Sequence, residues 1–177
     1  INEIKKKSSN KSKKLCFFSG YDCDSLALEK ITNFLKVFLK SFEKINNAYL
    51  EVRTKSTKID VLKSIKPMKN VIIAYSLNPE IIVKGFEQKT PTLKKRINSI
   101  NSLQKLGWQV GLRFDPLINY SKNKLIYKKF FEFIFSKIQV EKIHSVTTGH
   151  FRMPNNFFNK LVNIRPEDSL IFNKLKN

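Results

Sequence analysis

The chain of 177 residues is 41% hydrophobic, which is enough for one domain with a well-buried core. Lys and Arg number 34 against 14 Asp and Glu, a formal net charge of +20, and a domain this basic commonly contacts a polyanion such as DNA or RNA. The apolar stretches are too short to span a membrane and no targeting segment opens the chain, so we expect a soluble, cytoplasmic protein. Two Cys and two His are too few for a structural zinc site or a disulfide framework.

The chain begins with a basic stretch over residues 1–14, which we expect to be a flexible segment, and the folded domain is expected over 15–177. Five short runs follow that are rich in β-branched and aromatic residues, and each ends in small, polar or charged residues. These predicted strands are 15–22 (LCFFSGYD), 49–55 (YLEVRTK), 70–78 (NVIIAYSLN), 109–116 (QVGLRFDP) and 142–150 (KIHSVTTGH).

Segments of helical period separate the runs. One helix is predicted after the first strand, capped by Asp22 or Asp24, with an apolar stripe that continues to Phe42. The later segments are one or two turns before Pro67, a helix from Pro79, a helix from Pro91 or Thr92 to Gly107, a largely buried apolar helix over 125–138, and a helix after Pro154.

This alternation predicts an α/β fold with a parallel sheet. Because five units do not close an eight-stranded barrel, the chain is either an open sheet or part of a barrel, and we expect part of a barrel completed by upstream units. Functional groups of such folds gather at the carboxyl ends of the strands, where the polar clusters of this sequence fall.

Charged residues alternate with apolar ones inside two predicted strands. Glu51 and Arg53 are expected to point into the barrel, where unpaired charge is unfavourable, so each needs a partner or a ligand. Arg113 and Asp115 share one face of the fourth strand and have the same requirement, although Asp115 before a proline also fits an ordinary turn. Cys16, inside the first strand, is expected in the core.

Three blocks of sequence carry a family resemblance: FFSGYDCDSLALEKIT (17–32), LEVRTKS (50–56) and the longer block at 73–118 that begins IAYSLNPE and ends GLRFDPLI. They resemble the spore photoproduct lyase family of radical S-adenosylmethionine (AdoMet) enzymes, in the branch found in bacteria that do not form spores. The resemblance implies a partial (β/α)6 barrel, AdoMet, a [4Fe-4S] cluster, and a 5′-deoxyadenosyl radical that reverses a thymine photodimer in DNA by hydrogen abstraction. It also implies an electron donor such as flavodoxin or ferredoxin, and a monomer is expected.

The cysteines depart from the family pattern. The cluster motif of the family is C-x3-C-x2-C, whereas Cys16 and Cys23 are separated by six residues, so the cluster ligands are not expected in this chain and the fragment alone is expected to be inactive. Cys23 lies close to the family's hydrogen-donating cysteine, but an ungapped alignment places that cysteine at Tyr21. Both residues remain candidate catalytic hydrogen donors.

The resemblance assigns cofactor contacts to four residues. Lys55 matches a lysine that contacts the AdoMet carboxylate, and Ser76 and Asn78 match an S-x-N block that can hold the ribose or the amino-acid part. Alternatively, Ser76 and Asn78 cap the helix that begins at Pro79. Asp24 can bind the ammonium of the cofactor or cap the helix that follows it.

The expected substrate contacts are Arg113, Asp115, His150 and Arg152. His150 and Arg152 resemble the family segment near the DNA-facing rim, where Arg152 can contact phosphate. Two alternatives stay open from the sequence alone: a radical AdoMet enzyme with another substrate, and a basic nucleic-acid-binding protein without enzymatic activity. The lysine excess is also typical of an AT-rich genome, so charge alone does not decide between them.

Overall fold

A parallel sheet organises the fold of the computed structural model, which describes residues 1–9, 14–20, 23–118, 123–150 and 154–164. Its five strands pair in chain order, and every neighbouring pair is parallel, as the sequence predicts. They are β1 (Leu15–Ser19), β2 (Ala48–Thr54), β3 (Val71–Ser76), β4 (Gln109–Leu117) and β5 (Ile143–His150).

Helices connect the strands. They are α1 (Asn2–Ser8), α2 (Glu29–Thr32), α3 (Phe34–Phe42), α4 (Asp60–Lys63), α5 (Glu80–Phe86), α6 (Leu93–Leu106), α7 (Asn123–Lys137) and α8 (Asn155–Ile164), with a 3-10 turn at Val140–Lys142. The predicted signals for α6 are confirmed, because the Thr92 hydroxyl accepts from the backbone N–H of Lys95 and Gly107 ends the helix with φ 91°. No helix in the described ranges is long and apolar enough to cross a membrane.

Strand alternation sorts the side chains onto two faces of the curled sheet. Leu50 and Val52 of β2 are buried in the core, together with Leu39 of α3 and Ile100 of α6. Glu51 and its neighbours in the alternation point to the opposite side, which we call the inner face. Trp108, just before β4, is buried at the amino end of the sheet and donates from Nε1 to the carbonyl oxygen of Leu62 at 3.0 Å.

The helix predicted between β1 and β2 is broken into two. Asn33 adopts a left-handed conformation with φ 48°, which ends α2 and begins α3. The buried carboxylate of Glu29 then accepts from the backbone N–H groups of Leu35 and Lys36, at 2.7 and 3.0 Å. This break explains why the predicted stripe is only partly buried: Ile31 is 80% exposed.

The prediction that the helix over 125–138 is largely buried was wrong. Phe130 and Ile134 are buried, whereas Phe133 and Phe135 are exposed. The helix contacts the sheet through one side, where Phe114 of β4 packs edge-on against Phe130, with ring centroids 5.6 Å apart. Because its apolar residues surround the whole helix, one contact face cannot cover them all.

The prediction for Cys16 was also wrong, since this residue is exposed. Leu15 and Phe17 pack against the core, and Cys16 lies on the opposite face of β1, opposite Tyr49 of β2. Strand membership alone does not bury a side chain, because the inner face of the described sheet is open beside β1.

The basic opening segment contains structure that the sequence did not predict. α1 spans seven of its residues, and Ile4 packs against the core. The Ser8 hydroxyl donates back to the carbonyl oxygen of Ile4 at 2.6 Å. The division of the chain into residues 1–14 and 15–177 stays a prediction.

Candidate functional site

A cleft of about 400 Å³ opens at the carboxyl ends of β1 to β4. Its lining consists of Gly20, Cys23, Asp24, Arg53, Thr54, Lys55, Ser76, Asp115 and Pro116. Five of these residues are among the predicted site residues, and they come from four different β/α units. The sheet topology therefore brings together side chains that are up to 92 positions apart, because Cys23 and Asp115 line the same cavity.

Asp24 fastens the turn after β1 to the end of β2. Its Oδ1 accepts from the backbone N–H groups of Leu26 and Ala27, at 2.8 and 2.9 Å, and from the Thr54 hydroxyl at 2.8 Å. Its Oδ2 accepts from the backbone N–H of Lys55 at 2.6 Å. The predicted capping role is present in this form, and the predicted contact with a cofactor ammonium stays a prediction.

Gly20 allows the chain to pass close to the end of β2. It has φ 84°, and a Cβ at this position would lie 2.5 Å from the Arg53 carbonyl oxygen and 2.5 Å from the Ser25 hydroxyl. The Ser25 backbone N–H donates to the same Arg53 carbonyl at 3.3 Å. A side chain here would push the turn away from β2 and widen the cleft.

Lys55 reaches a buried acidic residue beside the cleft. Its Nζ lies 3.0 Å from Oε1 of Glu87, and the Lys55 side chain is 34% exposed. Glu87 also pairs with Arg96, with Nη2 and Oε2 at 2.5 Å. Burial pushes the pKa of Glu87 up, but Lys55, the amide of Asn78 and Arg96 outweigh it and hold the pKa below its ordinary value.

Sequence reasoning missed Glu87 and Arg96. A signal for Arg96 existed, because it is three residues after Leu93 and four before Ile100, on the apolar stripe of α6. A charged residue on such a stripe indicates a buried ion pair. Glu87 gave no comparable signal, since it follows the last residue of α5 in a polar stretch.

Asn78 lies behind the cleft rather than in its lining, and it is buried. Its Nδ2 donates to Oε1 of Glu87 at 3.0 Å, and its Oδ1 has no hydrogen-bond partner among the described residues. The carbonyl oxygen of Ser76, in the cleft wall, accepts from Nη1 of Arg96 at 3.0 Å. The end of β3 is thus attached to the same ion pair as Lys55.

The predicted pairing of charges on the inner face is confirmed. Arg113 binds Glu51 through two hydrogen bonds, Nη2 to Oε2 at 2.6 Å and Nε to Oε1 at 3.1 Å, and Nε of Arg53 donates to the same Oε1 at 3.1 Å. Nη1 of Arg53 lies 3.9 Å from Oδ2 of Asp115. Burial raises the pKa of Glu51, but the hydrogen bonds and charges of Arg113 and Arg53 lower it more, so the net shift is downward.

Arg113, a predicted substrate contact, lies beneath the cleft and is 3% exposed. Its guanidinium folds back over Gly111, where a Cβ would lie 2.8 Å from Nη2, and reaches Glu51 and Ser145. Its donors are bound inside the fold, so any effect on a ligand would act through Glu51 and Arg53. Its role toward substrate stays a prediction.

Among the described residues, His150 joins Asn78 and Arg113 as a predicted site residue outside the cleft lining. His150 is exposed at the end of β5, opposite Leu117, and its role stays a prediction. Tyr21 and Arg152 lie outside the described residues. Cys23, the other candidate hydrogen donor, is exposed and lines the cleft.

Comparison with known proteins gives the same fold and family. The family model described as spore photoproduct lyase matches residues 4–162. Spore photoproduct lyase from Clostridium acetobutylicum is 22% identical over 147 residues, covering 83% of this chain and 44% of that protein. The Bacillus subtilis enzyme of the same name is 24% identical over 131 residues, covering 74% of this chain and 38% of that protein.

Solved structures confirm the partial barrel. A mutant spore photoproduct lyase with bound AdoMet and dinucleoside spore photoproduct has a TM-score of 0.83 at 14% identity, covering 94% of this chain and 50% of that one. Spore photoproduct lyase complexed with dinucleoside spore photoproduct has a TM-score of 0.81 at 16% identity, with the same coverage. The chain spans less than half the length of the curated relatives it matches. On the family match over most of its length, the chain belongs to the spore photoproduct lyase family.

Proposed function

We propose that this chain forms the AdoMet-binding part of a radical AdoMet enzyme that reverses a thymine photodimer in DNA. One observation carries the proposal: Asp24, Lys55 and Ser76, which the family resemblance assigns to the cofactor, line one cleft although they belong to three different β/α units. If these three residues lay on separate surfaces, the fold would offer no cofactor site. Family membership supports the reaction class.

The chemistry of the cleft fits a zwitterionic nucleoside ligand. The Lys55 ammonium offers a compact cation for a carboxylate, and the Ser76 hydroxyl offers a donor or an acceptor. When bound and reductively cleaved, AdoMet supplies a carbon radical that abstracts hydrogen from the substrate.

The residues of this chain do not fit the iron–sulfur cluster. The described ranges contain no group of three or more His, Cys, Asp or Glu that could hold a metal ion. The whole sequence has two cysteines, fewer than the three thiolates of the family motif. The part of the site that this chain supplies is therefore the pocket for the nucleoside and amino-acid portions of the cofactor.

The rim residues support a DNA substrate. Cys23 presents a free thiol at the cleft and can donate a hydrogen atom to a product radical, and Arg53 adds a guanidinium to the same lining. The net charge of +20 favours a polyanion, and a damaged base leaves the duplex stack at less cost than an intact one. Flavodoxin or ferredoxin as electron donor, a monomeric state and a cytoplasmic location belong to the same proposal.

An NMR titration of the 15N-labelled chain with AdoMet tests the cofactor site. We expect saturable shifts at the amides of Asp24, Lys55 and Ser76, and Lys55→Ala should weaken binding roughly tenfold because a charge-assisted hydrogen bond is lost. Lys63→Ala is the matched control, since Lys63 pairs with Asp60 on an exposed surface. An unchanged affinity in Lys55→Ala would remove this residue from the site, and the absence of binding to the unaltered chain would contradict the cofactor proposal.

The substrate is tested on the whole protein reconstituted with its cluster. Anaerobic incubation with ultraviolet-irradiated DNA, a reductant and AdoMet should consume thymine photodimers. Cleavage of AdoMet without loss of dimers would contradict the repair reaction and leave a radical AdoMet enzyme with another substrate.

A further inference from the structure

Glu87 is a buried carboxylate that touches the proposed cofactor site from behind. Its side chain is 6% exposed, and both of its oxygens are engaged. Oε1 accepts from Asn78 and lies 3.0 Å from Nζ of Lys55, while Oε2 pairs with Arg96. It is not in the cleft lining, so it has no direct access to a ligand there.

Arg96 holds Glu87 from the core side. It is 0% exposed, and its Nε donates to the carbonyl oxygen of Pro91 at 2.9 Å. Its Nη1 donates to the Ser76 carbonyl, and its Nη2 donates to the Thr90 hydroxyl as well as to Glu87. The Glu87–Arg96 pair is consequently bonded to Lys55, Ser76 and Asn78, which the family resemblance assigns to cofactor binding.

We propose that Glu87, held by Arg96 and Asn78, is a positioning residue that orients Lys55 for the amino-acid carboxylate of the ligand. This inference rests on the proposed AdoMet site and assigns that site a residue outside its lining. Glu87 acts through Lys55, which lines the cleft, and does not contact the ligand.

The physical argument begins with the lysine. An ammonium has three donors, so one bond to Glu87 leaves two for a ligand carboxylate. Lysine side chains lose rotamer entropy when they are fixed, and a partner that fixes Lys55 before binding removes much of that loss from the binding step. Because Arg96 neutralises Glu87, the group as a whole still presents one positive charge to the cleft.

The same carboxylate fixes the amide of Asn78. A carboxylate accepts and cannot donate, so the Nδ2 side of Asn78 must face Glu87. Oδ1 is then the atom left for another partner, and it is buried without one in the described part of the chain. Because Asn78 lies behind the cleft lining, its bond helps to hold Glu87 in place rather than to bind the ligand.

The test compares two ligands by NMR titration of the chain: AdoMet, and 5′-methylthioadenosine, which lacks the amino-acid carboxylate. In Glu87→Gln, an amide donor faces the donors of Lys55, Asn78 and Arg96, so Lys55 loses its partner. AdoMet affinity should then fall roughly tenfold, about what one charge-assisted hydrogen bond supplies. The affinity for 5′-methylthioadenosine should fall by a smaller factor, because this ligand has no carboxylate for Lys55 to bind. Lys55→Ala should remove the same preference, and the double variant should lose little more than either single one.

Glu29→Gln is the matched control, since Glu29 is also a buried carboxylate bonded within the fold, at the start of α3. It should leave the ratio of the two affinities unchanged. If Glu87→Gln does not fold, Glu87→Asp decides by the same ratio, because it keeps the charge for Arg96 and is too short to reach Lys55 as well.

Unchanged AdoMet affinity in the folded Glu87 variant, or an equal loss for both ligands, would overturn the positioning role while the cofactor site stands. If the unaltered chain binds neither ligand, the proposed function fails first and the inference falls with it.

Discussion

The carboxylate of Asp24 accepts hydrogen bonds both from the turn after β1 and from the end of β2. The sequence offered two roles for it, a cap and a cofactor contact, and could not choose between them. Four donors surround it, and two of them, from Thr54 and Lys55, are about 30 positions further along the chain. Local sequence contains no record of such distant partners. For the ion pair of Glu87 and Arg96, the sequence indicated the buried arginine but not which residue is its partner.

Asp24→Asn should lower the free energy of unfolding by about 2–3 kcal/mol, because hydrogen bonds to a charged acceptor are replaced and an amide donor then faces a backbone donor. Urea denaturation measures the change. Asp60→Asn is the control: Asp60 is 70% exposed at the side chain and pairs with Lys63, so we expect a change within about 0.5 kcal/mol. Equal effects in the two variants would contradict the anchoring role of Asp24.

At the scale of elements, the five strands and their parallel pairing could be predicted from the sequence. Short runs of apolar β-branched residues that alternate with helical segments favour a parallel sheet. The placement of Asp24, Lys55, Ser76 and Asp115 at one edge followed as well, since parallel strands share their carboxyl ends. The break at Asn33 did not follow, because it depends on the buried carboxylate of Glu29, which reaches forward to cap the next helix. The sequence also could not predict which side of a helix or strand is exposed, because exposure depends on the elements packed against it.

Two glycines in the chain should respond to alanine in opposite ways. Gly20→Ala should destabilise the protein by at least about 2 kcal/mol, because φ is 84° and the new Cβ meets the backbone carbonyl of Arg53. Gly85→Ala, within α5 and with no atom inside 4 Å of the new Cβ, should stabilise it by about 0.5–1 kcal/mol. Thermal and urea unfolding of both variants check this, and destabilisation of similar size at both positions would contradict the role assigned to the turn.

At the scale of the whole molecule, stability depends on two buried carboxylates whose pKa values are lowered. The pKa values of Glu51 and Glu87 are held below their ordinary value of 4.5 by the cations around them. Groups of this kind contribute stability above the unfolded pKa, and that contribution disappears as the pH falls toward the folded one. Each carboxylate also pairs with a residue of the cleft lining, Glu51 with Arg53 and Glu87 with Lys55. Protonation that destabilises the fold should therefore also weaken these contacts at the site.

The free energy of unfolding should therefore decrease as the pH is lowered from about 5 to about 3. Fluorescence of Trp108, the one tryptophan of the sequence and a buried one, reports the unfolding in urea at each pH. Glu51→Gln should give a shallower pH dependence on a lower overall stability, since Arg53 and Arg113 then lack their charged partner. Stability that stays constant or rises over this interval would contradict the shifted pKa values.

The carboxylate of Asp24 joins two loops, and this has a consequence for motion. Cys23 precedes it directly, and Lys55 is bonded to it through the backbone. A displacement of the turn that carries the thiol would therefore also pull on the strand end that carries the ammonium. The two sides of the cleft are therefore mechanically linked through one carboxylate, and we expect them to move together.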